Sequence, residues 1–260
     1  MTDPKIHPTA ILGDEVAIGP DTEIGPYCII EDKVTIGSGN RLLAHVYLGR
    51  NTVIGDHNRF FPYASAGLVP QDLKFRDEET RTEIGNHNNI REHVTIHRGT
   101  GHGGGVTKLG NHNLVMVNAH MGHDAIVGDR NILAHGATLA GHVTVGSDTT
   151  VGSYSGVHQF CRVGDHAFIG GFSVVVKDAL PYIKTVGNHA KIYGINTIGL
   201  ERKEFSKEEI QTLQQAYRIL FLRKLRLVEA LEKLETELAD QPRVRYLIDF
   251  IKSSDRGITR

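Results

Sequence analysis

Tryptophan is absent from the 260 residues, and cysteine occurs only twice, at Cys28 and Cys161. Two cysteines are too few for a disulfide framework and form no CxxC pair, so neither a stapled fold nor a cysteine zinc site is expected. An excess of either charge is lacking too, with 29 Lys+Arg against 30 Asp+Glu. The basic footprint of a nucleic-acid binder is therefore missing. No apolar run approaches the roughly 20 residues that span a bilayer, and the start Met1-Thr2-Asp3-Pro4-Lys5 has no signal-peptide apolar region. A cytoplasmic protein without a membrane span is expected. What the chain does have is 40% apolar residues, enough for a sizeable core, together with 29 glycines and 15 histidines.

An aliphatic or aromatic residue recurs at every sixth position through Ile6, Leu12, Ile18, Ile24, Ile30, Ile36, Leu42, Leu48, Ile54 and Phe60. The phase resumes at Ile84, Ile90 and Ile96, slips by one residue, and runs from Leu109 through Val175. Glycine often follows the aliphatic, as at Gly13, Gly19, Gly25, Gly128 and Gly146. This hexapeptide period predicts a triangular parallel β-helix in which each hexad is one side, the aliphatic points inward and tolerant residues turn the corner. Three hexads make a coil, so residues 18 apart stack about 4.8 Å from one another. The fold class expected is mainly β, a parallel β-helix over 1–190 with an α-helical domain over 191–260.

Two stretches break the period. Residues 61–83 carry Pro62, Pro70 and a charged run, and residues 97–108 carry a glycine-rich segment; both are expected to leave the coil as loops. The GxGxxG string Gly99, Gly101, Gly104 has no βαβ unit around it and predicts no dinucleotide site. From Phe205 the pattern is helical: Ser206 is an N-cap, Glu209 completes a capping box and Phe205 can staple to Ile210. Apolar residues then recur at helical spacing from Ile210 to Leu238, and a last segment runs from Pro242 to about Ser254.

The inward rows are core, so chemistry must come from outward positions, and the histidines mass between 97 and 158. By the stacking rule His123 lies against Gly141 and Asp124 against His142. An imidazole can accept a hydroxyl proton near neutral pH, a carboxylate can fix its tautomer, and a glycine amide can approach an oxyanion closely. Two other readings remain open at this point. One is a solvated wall of turn-tolerant polar residues, in a structural solenoid without catalysis. The other is metal binding by the H-x-x-H pair His120 and His123, as in carbonic anhydrases built on this repeat.

At these residues the chain resembles the UDP-N-acetylglucosamine acyltransferases that begin lipid A synthesis in Gram-negative bacteria. The likeness is carried by Gln71-Asp72-Leu73-Lys74, by Ile90-Arg91-Glu92 through Thr95-Ile96-His97-Arg98-Gly99-Thr100, by Asn118-Ala119-His120 with His123-Asp124, by Leu139-Ala140-Gly141-His142, by Val157-His158-Gln159-Phe160-Cys161, by Gly187-Asn188-His189-Ala190 and by the tail ending Arg256-Gly257. The resemblance implies a left-handed β-helix, a homotrimer, and transfer of an (R)-3-hydroxyacyl group from acyl carrier protein to the 3-hydroxyl of UDP-N-acetylglucosamine without cofactor or metal. It implies His123 as general base, Asp124 as its orienter and the Gly141 amide as oxyanion donor. His97, His120, His142, His158 and Gln159 would line the substrate cleft. Asp72, Lys74, Asn196 and Arg202 match nucleotide- or phosphate-contacting positions, and Gly171 matches the ruler at the closed end of the acyl groove.

One departure stands out. The family often has Asn-Ile-Glu-Gly-Leu where this chain has Asn196-Thr197-Ile198-Gly199-Leu200, so Ile198 replaces an acidic nucleotide contact. That leaves a 3-amino-sugar N-acyltransferase of the same family as an alternative. The stripe Arg218, Arg223, Lys224 and Arg226 is a candidate for docking the acidic carrier protein.

Overall fold

The computed structural model describes residues 2–260. Strands, mostly two residues long, recur at each hexad and assemble into sheets of 11, 9 and 8 strands. These sheets are the three faces of a prism: the first begins with Lys5–Ile6, the second with Ile11–Leu12 and the third with Ala17–Ile18. Ile6 pairs with Ile24 and Leu12 with Ile30, both in parallel and 18 residues apart, as three hexads per coil require. The second residue of each short strand points inward. Ile24, Ile36, Leu48, Val115, Leu133 and Val151 are at most 2% exposed, and burying each such side chain contributes about 1.5–3 kcal/mol.

The corners are turned by an unexpected set of residues. Three positions after most inward aliphatics the backbone is left-handed; glycine stands there at Gly39 and Gly136, but larger residues do elsewhere, as with Asp124 at φ 59°, His142 at φ 61° and Phe160 at φ 63°. The glycines directly after the aliphatics serve a different purpose. A Cβ on Gly19 would come within 2.6 Å of the Gly37 carbonyl carbon, so these glycines let one coil lie on the next. Corner rings stack along the edges, as in Tyr27, His45 and Tyr63 with centroids 5.0 and 4.9 Å apart. Beneath one edge runs a buried asparagine ladder. Asn58, Asn88 and Asn113 each donate from Nδ2 to the Oδ1 of the asparagine before, starting at Asn40, at 3.1, 2.9 and 3.0 Å.

The two excursions are shorter than 61–83 and 97–108. The first leaves after Leu68 and returns at Arg81, because Ala64 and Ala66 continue the inward row with side chains too small to be recognised. The second leaves after His97 and returns at Val106. Ile84 pairs with Ile54, 30 residues earlier, so the first loop adds two hexads' worth of chain and preserves the phase. Leu109 pairs with Ile84, 25 residues earlier, and the seven extra residues account for the one-residue slip. Both loops emerge at the edge between the second and third faces, on consecutive coils. The next corner along that edge is His123-Asp124.

Four helices follow: α1 Thr197–Arg202, α2 Lys207–Tyr217, α3 Leu227–Glu237 and α4 Pro242–Lys252. The capping box forms, with Glu209 N donating to Ser206 Oγ at 3.1 Å and Ser206 N donating to Glu209 Oε2 at 2.9 Å. The helical pattern from Ile210 to Leu238 is interrupted, since α2 ends in a π turn at Arg218–Leu222 and Lys224 takes φ 54°. The helices share a core with Leu180, Tyr182 and Ile183 of the last coil, which closes that end of the prism. No helix among the described residues is long and apolar enough to cross a membrane.

Candidate functional site

The edge between the second and third faces gathers most of the expected site residues. Asp124 is 5% exposed, and its carboxylate is saturated from one side by the second loop. Thr100 N donates to Oδ1 at 2.9 Å and Thr100 Oγ1 to Oδ2 at 2.7 Å. The Asp124 amide donates to Thr107 Oγ1 at 2.7 Å, which holds the corner from below. Gly103 has to be glycine, because a Cβ there would fall 2.2 Å from Asp124 Oδ2. The loop thus closes on the carboxylate with nothing between.

On the open side, His123 Nδ1 lies 2.8 Å from Asp124 Oδ2. A carboxylate only accepts, so His123 donates from Nδ1 and keeps the lone pair of Nε2 free. Nε2 faces the next coil, where a Cβ on Gly141 would stand 2.6 Å away. Among the described residues the Gly141 amide donates to no protein acceptor, while the flanking Ala140 and His142 amides donate to Val157 and His123 carbonyls. His142 completes the group with Nε2 3.8 Å from Asp124 Oδ2 and its ring edge-on to His123 at 5.1 Å. Phe160 stacks on His142 at 4.4 Å.

The neighbouring histidines are held neutral. Burial pushes His97 down from the ordinary 6.5 to about 4, helped by His120 and His123. Burial also lowers His120, whose Nδ1 lies 2.7 Å from Thr95 Oγ1, and His142, despite the opposing Asp124 charge. His120 therefore turns toward Thr95 and His97 rather than pairing with His123 as an H-x-x-H motif. The three groups that could share a metal ion are His123, Asp124 and His142, whose ligand atoms lie within 4.8 Å of one another. Their hydrogen bonds already commit the Asp124 oxygens to Thr100 and His123.

The first loop brings Asp72 and Lys74 to the same edge. The Lys74 amide donates to Asp72 Oδ1 at 2.9 Å and holds that carboxyl below the usual carboxylate range. Asp72 Oδ2 meets His102 Nε2 at 3.1 Å, and the His102 ring lies 6.3 Å from that of His142. His158 and Gln159 occupy the edge two coils beyond His123, with His158 Nδ1 3.1 Å from Arg256 of the returning tail. Thr100 and His102 were missed by spacing arguments, because loop residues obey no stacking rule.

Three expected residues lie elsewhere. Asn196 caps α1 at the edge between the first and third faces, and its Nδ2 donates to the His166 carbonyl at 3.0 Å. Arg202 is exposed beside it, whereas Lys203 is engaged with Asp148 at 2.7 Å. Gly171 sits at the edge between the first and second faces, where a Cβ would meet Ser153 O at an ordinary 3.4 Å. Ile198 on α1 is 64% exposed.

Residues 178–259 match a family model described as UDP N-acetylglucosamine O-acyltransferase, domain 2, and residues 107–141 and 142–177 match bacterial transferase hexapeptide repeats. The acyl-(acyl-carrier-protein)–UDP-N-acetylglucosamine O-acyltransferase of Thiobacillus denitrificans is 48% identical over 255 residues, 98% of this chain and 99% of that one. The chain belongs to the UDP-N-acetylglucosamine O-acyltransferase family. A solved family member from Moraxella catarrhalis superposes with a TM-score of 0.95 at 46% identity, covering 98% of this chain and 99% of its own. One from Bacteroides fragilis gives 0.96 at 40% identity, covering 98% and 100%. The architecture is the family's left-handed parallel β-helix with a C-terminal helical domain.

Proposed function

We propose that this acyltransferase moves an (R)-3-hydroxyacyl group from acyl carrier protein to the 3-hydroxyl of UDP-N-acetylglucosamine, the first step of lipid A biosynthesis. Family membership at full length supports the reaction. The observation that carries the residue roles is the free Nε2 of His123, poised beside the unpartnered Gly141 amide. In this reading Nε2 takes the hydroxyl proton as the sugar oxygen attacks the thioester carbonyl carbon. The Gly141 N–H receives the oxyanion of the tetrahedral intermediate. As the intermediate collapses, the carbon–sulfur bond breaks and the His123 imidazolium returns its proton to the departing thiolate. Asp124 favours the imidazolium and fixes its orientation, and no metal takes part.

His97, His120, His142, His158 and Gln159 would line the cleft along this edge, and Asp72 and Lys74 would receive the nucleotide sugar. Asn196 and Arg202 stand on a different edge of the prism. They reach a nucleotide at His123 only if a neighbouring copy presents them, so we infer a homotrimer with its clefts between subunits. Val69 and Leu73, 54% and 97% exposed on the first loop, and Phe160, 50% exposed, offer that second wall something apolar to cover. Because both substrates are soluble, the reading places the reaction in the cytoplasm.

The test is to incubate purified protein with a 3-hydroxyacyl carrier protein and either UDP-N-acetylglucosamine or its 3-amino analogue, reading products by mass spectrometry and metal by elemental analysis. An ester on the 3-oxygen is expected. Transfer confined to the amino sugar, or activity that tracks bound zinc, would overturn the reading.

A further inference from the structure

The first loop, residues 69–80, and the second, residues 98–105, leave the same edge on consecutive coils, yet each has its own root and no shared strand. Where they meet above the site, His102 Nε2 lies 3.1 Å from Asp72 Oδ2. The other end of each loop segment is pinned independently. Asp72 Oδ1 accepts from the Lys74 amide at 2.9 Å, and Thr100, two residues before His102, is tied to Asp124 through both its amide and its hydroxyl. The Asp72 side chain is only 17% exposed, against 42% for His102. A chain of contacts therefore runs from Asp72 through His102 and the Thr100 turn to Asp124, the partner of His123. Each Asp72 oxygen keeps a lone pair beyond these two contacts.

We propose that His102 is a positioning and specificity-determining residue for the nucleotide-sugar acceptor. It holds the Asp72 carboxylate in one orientation over the acid–base pair, so that Asp72 accepts hydrogen bonds from acceptor hydroxyl or amide groups while the proton-transfer atoms stay untouched. A carboxylate on a free loop loses orientational freedom each time the acceptor binds; one clamped from both oxygens has already lost it. The glycines around His102 explain why a clamp is needed. Gly104 and Gly105 have positive φ and nothing within 4 Å of a Cβ position, so the loop is open just beyond Gly103.

This inference rests on the acyltransferase reading. His102→Ala should raise KM for the nucleotide sugar about three- to tenfold, with kcat within about twofold and KM for the acyl carrier protein unchanged. His102→Gln, which keeps a donor, should restore most of the loss. In an Asp72→Asn background His102→Ala should cost no more than about a further twofold, because its effect passes through Asp72. An unchanged acceptor KM in His102→Ala, an equal cost in the Asp72→Asn background, or a fall in kcat alone would overturn the proposal. Full transfer by a His123→Ala control would instead sink the catalytic reading on which it rests.

Discussion

The Gly141 backbone lies against the His123 imidazole so closely that a single Cβ on Gly141 would stand 2.6 Å from both Cε1 and Nε2. The 18-residue repeat produces this contact, since it puts Gly141 one coil above His123, and the absent side chain lets the ring sit against a backbone whose amide has no protein acceptor. Gly141→Ala should therefore displace the imidazole and lower kcat at least about tenfold, while the circular dichroism and melting of the β-helix stay near wild type. Retained turnover in a folded Gly141→Ala protein would mean that the ring position is not critical.

His97 supplies a stability signature with a definite sign. Burial holds it neutral down to about pH 4, whereas an unfolded chain takes up its proton near 6.5. The unfolded state binds more protons between those values, so this contribution is fully present above about pH 6.5 and is lost as pH falls toward 4. The loss is on the order of 3 kcal/mol at most. Urea denaturation at pH 7.5, 5.5 and 4.5 should show stability falling more steeply in wild type than in His97→Gln. Parallel slopes would contradict the buried neutral state.

A Cβ on Gly171 would meet only Ser153, at an ordinary 3.4 Å from its carbonyl oxygen. Proposed as the ruler of the acyl groove, it should admit a long donor of the 3-hydroxymyristoyl type, since each accommodated methylene adds about 0.8 kcal/mol of burial. Gly171→Met should shift preference toward donors shorter by several carbons. A wild type that already favours a ten-carbon donor, or a ranking unchanged by Gly171→Met, would remove the ruler from this position.

The coil was legible because its core row is monotonous: one inward aliphatic per hexad can be read without any structure, and the His123–Gly141 and Asp124–His142 pairs follow from counting. Counting failed where side chains shrank or register was conserved. Ala64 and Ala66 hid one hexad, and an insertion worth two hexads left the phase intact. The left-handed corners hold bulky rings beside the conformationally tolerant residues expected there, and stacking of His, Tyr and Phe along an edge offsets what an L residue loses at positive φ. The break at Lys224 was invisible because apolar residues resume at helical spacing beyond it. His102 escaped for the opposite reason: its partner Asp72 lies on another loop, and no periodicity connects two loops.

The measurement that bears most directly on His123 as the proton acceptor is single-turnover transfer with saturating hydroxyacyl carrier protein and UDP-N-acetylglucosamine, comparing wild type, Asp124→Asn and His123→Ala. A general base contributes about 10²–10⁴ in rate, so His123→Ala should fall by at least about 100-fold. Asp124→Asn should lose less, because it preserves shape and part of the hydrogen bonding, and all three proteins should keep the same oligomeric mass by light scattering. A folded His123→Ala enzyme with a rate within about threefold of wild type would contradict the assignment and require another proton acceptor at this edge.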